Sequence, residues 1–171
     1  MTAKSIIQNA TKSVMGVLST GEGEADILDT LHAEHEVVQD LLEKLTKSDD
    51  AREQKVLVAK VKEALIPHAK AEELVVYDPV SALKGEKPKI DGAEGYTEHA
   101  LASATLMQLD KLTPNTPEFK ANAKVLKELL DHHIGEEERN IWADVKENFD
   151  ADARVAMNQR FLAAKKKVKI A

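Results

Sequence analysis

Residues 68–77 read HAKAEELVVY, and residues 133–142 read HIGEEERNIW. In both stretches a histidine is followed four residues later by a glutamate, then by a second glutamate, and later by an aromatic residue. A spacing of four residues places the histidine and the first glutamate on the same face of an α-helix, one turn apart. The two stretches therefore predict two helices of matching design, one in each half of the chain.

A single histidine precedes each of these stretches at nearly the same distance. His35 lies 33 residues before His68, and His99 lies 34 residues before His133. A repeat at this spacing indicates two helical hairpins related by a pseudo-twofold axis.

Apolar residues at helical spacing, separated by glycine, proline and polar runs, predict the other helices. The predicted helices span about residues 26–47, 52–83, 93–112, 118–148 and 151–167, with a loop containing Gly85, Pro88 and Gly92 between the second and the third. Short connections between four long helices indicate an all-α, antiparallel up-down four-helix bundle with extra short N-terminal and C-terminal helices. We divide the chain into an N-terminal amphipathic helix and linker (1–24), the bundle (25–149), and a C-terminal helix with a basic tail (150–171).

The composition excludes several classes of protein. The chain has 171 residues, of which 43% are hydrophobic and 32% charged, as is typical of one globular domain. Its net charge is −6, whereas nucleic-acid-binding proteins carry basic patches, so we expect no nucleic-acid partner. The absence of cysteine excludes disulfides and thiolate metal sites. No apolar run is long enough for a signal peptide or a membrane span, and we expect a cytoplasmic protein.

The sequence also allows an interpretation of each end of the chain. Apolar residues between Ile6 and Leu18 lie on one face of a short helix, which either packs across the bundle or mediates a homodimer. Lys165, Lys166, Lys167 and Lys169 form a short basic run, which is typical of a solvated tail.

Each long helix directs one histidine towards its apolar face, and the second and fourth helices each add a glutamate. The inward-facing set consists of His35, His68, Glu72, His99, His133 and Glu137. A lone inward histidine is usually a hydrogen-bonded core residue, and a lone buried glutamate can be protonated. Two buried glutamates that converge with four histidines require a positive charge between them. Nitrogen and oxygen donors without a thiolate favour a metal ion in that place.

The order of these residues resembles that of the hemerythrin-like (HHE) cation-binding domain. The likeness covers about residues 26–147 and rests on His35, the His68-Ala-Lys-Ala-Glu72-Glu73 string, His99, and the His133-Ile-Gly-Glu-Glu137-Glu138 string. It implies a four-helix bundle with two non-haem iron ions joined by an oxo or hydroxo bridge. By this resemblance Glu72 and Glu137 bridge the metals, and the histidines are terminal ligands.

One departure from the family pattern affects the predicted function. Oxygen-carrying members have a second histidine one turn after the one on the third helix, where this chain has Ser103. One ligand fewer leaves an open position, which favours binding or sensing of O2, NO or peroxide, or a part in the response to iron or redox stress, over simple oxygen carriage. Alternatives are a di-iron oxidoreductase with peroxidase-like or NO-related activity, and repair of iron centres. Whether Tyr96 or His132 contacts the metal is open at this stage, as is enzymatic activity.

Glu73 and Glu138 follow the inward-facing glutamates directly. On the helical wheel they fall away from the apolar face, and we expect both to face solvent.

Overall fold

The computed structural model describes residues 24–170, and every regular element within that range is a helix. The prediction of an all-α fold is therefore confirmed. The elements are α1 (Ile27–Lys47), α2 (Ala51–Glu72), a π-helical segment (Glu73–Tyr77), α3 (Asp78–Ser81), α4 (Lys87–Leu109), α5 (Pro117–Arg139), α6 (Ile141–Asn148) and α7 (Ala151–Lys165). The predicted N-terminal amphipathic helix lies outside the described residues. None of the described helices combines the length and the apolar character needed to cross a membrane.

Four long helices form the bundle, in which α1 packs on α2 and α5, and α4 packs on the same two helices. Gln39 donates a hydrogen bond to Asp131 at 3.2 Å, and one turn further along α1 Glu43 pairs with Lys127 at 3.5 Å. Residue numbers thus increase along α1 while those of the paired residues decrease along α5, so the two helices are antiparallel. The three-residue connection 48–50 reverses the chain between α1 and α2 in the same way.

Side chains at the helix starts fix where the elements begin. Asp26, Asp50, Thr116 and Asp150 each accept a hydrogen bond from a backbone N–H in the first turn of the helix that follows. Such caps satisfy donors that have no partner within the helix, and each contributes about 1 kcal/mol.

The predicted loop before the third helix is shorter in the structure. α4 begins at Lys87, so the expectation that Gly92 lies in a loop is wrong. Pro88 occupies the first turn of α4, where its missing N–H removes no helical hydrogen bond. Gly92 lies within α4 at the point where α3 passes close by. A larger residue would not fit there, because a Cβ would be 2.1 Å from Oγ of Ser81. The glycine therefore serves close packing rather than a turn.

Two of the predicted helices are interrupted. The second changes to π-helical hydrogen bonding directly after Glu72, and the fourth breaks at Asn140 between α5 and α6. A π turn holds an extra residue, so it rotates the side chains that follow it relative to a regular helix. The apolar pattern of the sequence runs across both interruptions and does not predict them.

The buried apolar residues form two clusters, one towards each end of the bundle. The first includes Val38 and draws on α1, α2, α4 and α5. The second includes Leu31 and draws mainly on α1, the π-helical segment, α6 and α7. His35 lies between these two residues along α1, so the predicted metal site falls in the layer that separates the clusters.

The C-terminal helix packs against the bundle. α7 contacts α1, α2 and the π-helical segment, and Phe161 on α7 is fully buried in the second apolar cluster. The edge of its ring meets the imidazole of His68, with centroids 5.7 Å apart and an interplanar angle of 84°. The domain boundary at residue 150 stays a prediction, but α7 shares the core of the bundle.

We expect the substitution Phe161→Ala to lower the free energy of unfolding by about 3–5 kcal/mol, because it leaves a cavity in a packed core. The control is Ile170→Ala, at a residue that is 41% exposed, where we expect a change within about 0.5 kcal/mol. Urea denaturation of both variants measures the difference. Equal effects of the two substitutions would show that α7 is not part of the cooperative core.

Candidate metal centre

Six polar side chains lie together between the two apolar clusters. They are the six inward-facing residues of the sequence, each at most 3% exposed: His35, His68, Glu72, His99, His133 and Glu137. α1 and α4 each contribute one histidine, while α2 and α5 each contribute a histidine and a glutamate one turn apart.

Glu72 belongs to two groups of potential ligands. Its Oε2 lies 3.3 Å from Nε2 of His68 and 3.5 Å from Nε2 of His99. Ligand atoms of His35, His68 and Glu72 all lie within 4.8 Å of one another, and so do those of Glu72, His99 and His133. One carboxylate shared between two such groups is suited to two neighbouring cations.

Glu137 occupies the corresponding place in the other half of the chain. Its Oε2 lies 3.5 Å from Nε2 of His133 and 3.6 Å from Nε2 of His35. Like Glu72, it contacts the histidine one turn earlier on its own helix and a histidine from the other hairpin. The repeat in the sequence is thus also a repeat in space.

Several buried atoms of this cluster have no hydrogen-bond partner in the described part of the chain. Nδ1 of His99 is one of them, although Oε1 of Glu73 lies 3.4 Å away. The others, on the side of the cluster, are Nε2 of His35, Oε1 of Glu72 and both carboxylate oxygens of Glu137. Leaving one buried polar group unpaired costs about 1–3 kcal/mol, and more if it is charged. A cation would satisfy these atoms, and imidazole nitrogen with carboxylate oxygen is a donor set that suits iron, zinc or manganese. The residues present therefore fit a metal ion.

Glu73 and Glu138 do not face away into solvent, so that expectation is wrong. Oε1 of Glu138 lies 3.0 Å from Nδ1 of His35, and Oε1 of Glu73 lies 3.4 Å from Nδ1 of His99. Each side chain leaves its own helix sideways and reaches the histidine of the neighbouring hairpin.

Glu34 and Glu98 play the same part for the remaining two histidines. Glu34 accepts from Nδ1 of His68 at 3.0 Å, and Glu98 accepts from Nδ1 of His133 at 2.7 Å. Neither role was predicted from the sequence, although each glutamate directly precedes the inward-facing histidine of its own helix. A residue one position from the inward face lies about 100° round the helix, where it faces the neighbouring helix rather than solvent.

Two aromatic residues that follow the helix interruptions cover the cluster. Tyr77, at the end of the π-helical segment, stacks on His99 with centroids 5.2 Å apart and an angle of 28°. Trp142, just after the break at Asn140, stacks on His35 at 6.0 Å and 15°. The aromatic positions that match in the two sequence stretches therefore also match in their packing.

Tyr77 is a member of the site that the sequence analysis did not single out. Its hydroxyl oxygen lies 3.4 Å from Oε2 of Glu72 and from Nε2 of His99 and of His133. Gly95 allows this approach, because a Cβ at that position would lie 2.6 Å from the Tyr77 ring. The matching tyrosine and tryptophan of the two repeats were the available signal.

The two residues left open by the sequence lie outside the cluster. The Tyr96 hydroxyl donates to Asp78 at 2.6 Å and lies 3.2 Å from the carbonyl oxygen of Glu73. The side chain of His132 is 62% exposed, with Nε2 3.7 Å from Oε1 of Glu98.

The pKa shifts of the buried groups favour a partly protonated cluster when no metal ion is bound. Burial and the neighbouring Glu72 raise the pKa of Glu137 well above its usual range, which favours the protonated acid. Burial alone would lower the pKa of His68, but Glu72 and Glu34 raise it to about 9. Burial lowers the pKa of His35 to about 4, so that imidazole is neutral at pH 7. Metal binding at such groups displaces protons.

Comparison with known proteins agrees with this arrangement. Residues 26–143 match the Hemerythrin HHE cation binding domain, which is more than half of the chain. The chain belongs to this family, and the resemblance seen in the motif is confirmed.

One curated relative matches most of the chain. It is called a DNA nickase, from Nostoc sp. (strain PCC 7120 / SAG 25.82 / UTEX 2576), and is 29% identical over 143 residues. The match covers 84% of this chain and 40% of the relative, so the chain spans less than half of that protein's length. No solved structure matches the chain significantly.

We expect the substitution Gly95→Ala to lower the free energy of unfolding by about 1–3 kcal/mol, because the added methyl group overlaps the Tyr77 ring. The matched control is Gly135→Ala, also within a helix, where the nearest atom to the added Cβ is Nη2 of Arg139 at 3.9 Å. That control should gain about 0.5–1 kcal/mol from helix propensity. Denaturation of the metal-free proteins measures both, and two changes of the same sign would contradict the close packing of α4 on Tyr77.

Proposed function

We propose that the chain holds two non-haem iron ions at His35, His68, Glu72, His99, His133 and Glu137, and binds or senses O2, NO or peroxide there. The observation that carries the proposal is the pair of buried glutamates, three of whose four carboxylate oxygens lack hydrogen-bond partners among the described residues. Their ion pairs within the described range are all with histidines, so the cluster has no fixed positive side chain of its own.

The number and kind of donors favour iron over structural zinc. Six converging groups exceed the four ligands of a closed zinc site. Imidazole and carboxylate bind both ferrous and ferric iron, whereas a purely structural role needs no change of valence. When bound, a reduced iron pair supplies electrons to O2 or peroxide and a position at which NO can attach.

The surrounding carboxylates hold the imidazoles in one orientation. Nδ1 of His68 lies 3.0 Å from Oε2 of Glu34, and Nε2 of the same ring lies 3.3 Å from Oε2 of Glu72. His133 is held in the same way between Glu98 and Glu137. A carboxylate on Nδ1 fixes the tautomer with a free Nε2 and makes that nitrogen a better ligand.

The free space against the cluster is small. A void that holds about one water molecule is lined by all four histidines together with Val38, Leu65, Leu130 and Ile134. Because its polar lining consists of the proposed ligands, the metal ions themselves would use part of this space. It has no room for the organic substrate of a peroxidase-like reaction, so binding or sensing of a small molecule is the better-supported activity.

The Tyr77 hydroxyl is placed to donate a hydrogen bond to a small ligand at the site. Burial and the nearby Glu137 and Glu72 raise the pKa of its phenol well above the usual value, so the hydroxyl keeps its proton at neutral pH. We propose that this hydroxyl donates a hydrogen bond to the bound molecule.

The relative's name gives a second hypothesis, which is metal-dependent nicking of DNA by this chain. The chain is acidic overall, which disfavours binding to DNA. We therefore expect the iron-loaded protein to convert supercoiled plasmid to the nicked form no faster than the same amount of free iron does. Nicking that His133→Ala abolishes and His132→Ala retains would establish the alternative.

Protein expressed with supplemented iron should contain about two irons per chain, with near-ultraviolet bands that bleach on reduction. We expect His133→Ala and Glu137→Gln to lose metal, because each removes a buried donor of the cluster. His132→Ala is the matched control, since it removes the adjacent but exposed histidine. Metal analysis and circular dichroism of each variant separate loss of metal from loss of fold. One zinc per chain, or equal iron in all variants, would contradict the proposed site.

The substitution Tyr77→Phe should leave the iron content unchanged and weaken NO binding to the reduced protein by about tenfold, the value of one hydrogen bond. Tyr96→Phe is the control, because its hydroxyl binds Asp78 outside the cluster. Stopped-flow measurement of NO dissociation gives both values. Identical dissociation in the two variants would refute the role of Tyr77, and a visible band lost in Tyr77→Phe would mean that the phenolate binds iron directly.

A further inference from the structure

A narrow acidic cleft between α4 and α5, with free space for about one water molecule, runs from exposed Glu94 to His133 and Glu137 of the metal cluster. Its lining includes five carboxylates, from Asp91, Glu94 and Glu98 on α4 and from Glu136 and Glu137 on α5. No lysine or arginine is among the residues that line it.

Exposure falls along this cleft towards the cluster. Glu94 at the mouth is exposed, the Glu136 side chain is 32% exposed, the Glu98 side chain is 12% exposed, and Glu137 at the base is buried. Both carboxylate oxygens of Glu137 are without a hydrogen-bond partner in the described range. The cleft therefore ends on a carboxyl group whose oxygens are unsatisfied and not on a closed apolar wall.

Nearby basic groups reduce this charge only in part. Asp91 pairs with Lys87, and Glu136 pairs with Arg139 at 2.8 Å. Glu94 has no ion pair within residues 24–170, so its charge is free to act on a passing ion.

A second opening near the cluster lacks this character. It lies beside Glu138 and His32, and its lining includes Lys146 and Arg154 as well as the ring of Trp142. Its carboxylates, Asp26, Asp29 and Glu138, are largely offset by these two basic residues, and Arg154 pairs with Asp26 at 2.6 Å. The Trp142 indole that lines this opening also stacks on His35. Of the two approaches, the acidic cleft carries the greater excess of negative charge and is the better suited to a cation.

We propose that the acidic cleft is the uptake route for the metal: Glu94 and Glu136 attract a hydrated divalent cation, which then passes to Glu137. The inference rests on the proposed function, because it supposes that the cluster holds metal. Separate carboxylates at the rim bind a hydrated cation only weakly, whereas Glu137 and the histidines bind it together. A rim of negative charge above a low-dielectric wall also concentrates cations and raises their association rate.

The test is the rate of Co2+ binding to the metal-free full chain, followed by the absorption that appears on coordination. The variant Glu94→Gln/Glu136→Gln removes two rim charges, and Glu63→Gln/Glu147→Gln removes two exposed charges that line neither opening. We expect the rim variant to bind about three- to tenfold more slowly than the control variant at low salt. The difference should shrink at high salt, and both variants should reach the wild-type metal content.

Equal rates for the two double variants, or a rate difference that salt does not change, would overturn the proposal. A loss of final metal content in the rim variant would also overturn it, because these glutamates would then be ligands or structural residues. A charge reversal at one exposed position, Glu94→Lys against Glu63→Lys, should slow binding to a similar extent, because it also changes the rim charge by two units. Failure of the wild type to bind Co2+ at all would refute the proposed metal site itself, which distinguishes the two outcomes.

Discussion

The structure depends on the burial of two carboxylates, Glu72 and Glu137, in the middle of an otherwise apolar bundle. Each ionised carboxylate loses several kcal/mol of hydration when it is buried, and two close together also repel. The raised pKa values of Glu137 and His68 favour protons on both groups in the metal-free chain, and a pair of cations would also balance this charge. The four histidines are the partners that the fold provides for these two groups.

The helix interruptions explain how a regular bundle accommodates such a site. The π-helical segment and the break at Asn140 each come within three residues of an inward-facing glutamate. Each turns an aromatic ring over the histidine of the other hairpin. The two halves differ in one useful respect, because Tyr77 brings a hydroxyl group to the cluster where Trp142 brings an indole. A pseudo-symmetric site therefore presents unequal surroundings on its two sides.

The sequence predicted the six clustered residues because buried polar side chains stand out against a 3.6-residue apolar pattern. It did not predict the roles of Glu34, Glu73, Glu98 and Glu138, since a wheel drawn for one helix does not show which neighbour a sideways residue reaches. The placement of Gly92 in a loop was wrong for a related reason, because glycine at that position permits the close packing of α3 and does not form a turn. Tyr77 was missed because the π turn changes the phase of the helix, which a fixed angle of about 100° per residue cannot follow. That these six residues bind metal stays a prediction.

The most direct measurement is diffraction from crystals of the iron-loaded protein at wavelengths on either side of the iron absorption edge. We expect two anomalous peaks per chain, both in contact with Glu72 and Glu137, and each in contact with the histidines of one half of the cluster. One peak, or peaks away from the six side chains, would contradict the proposed di-iron site.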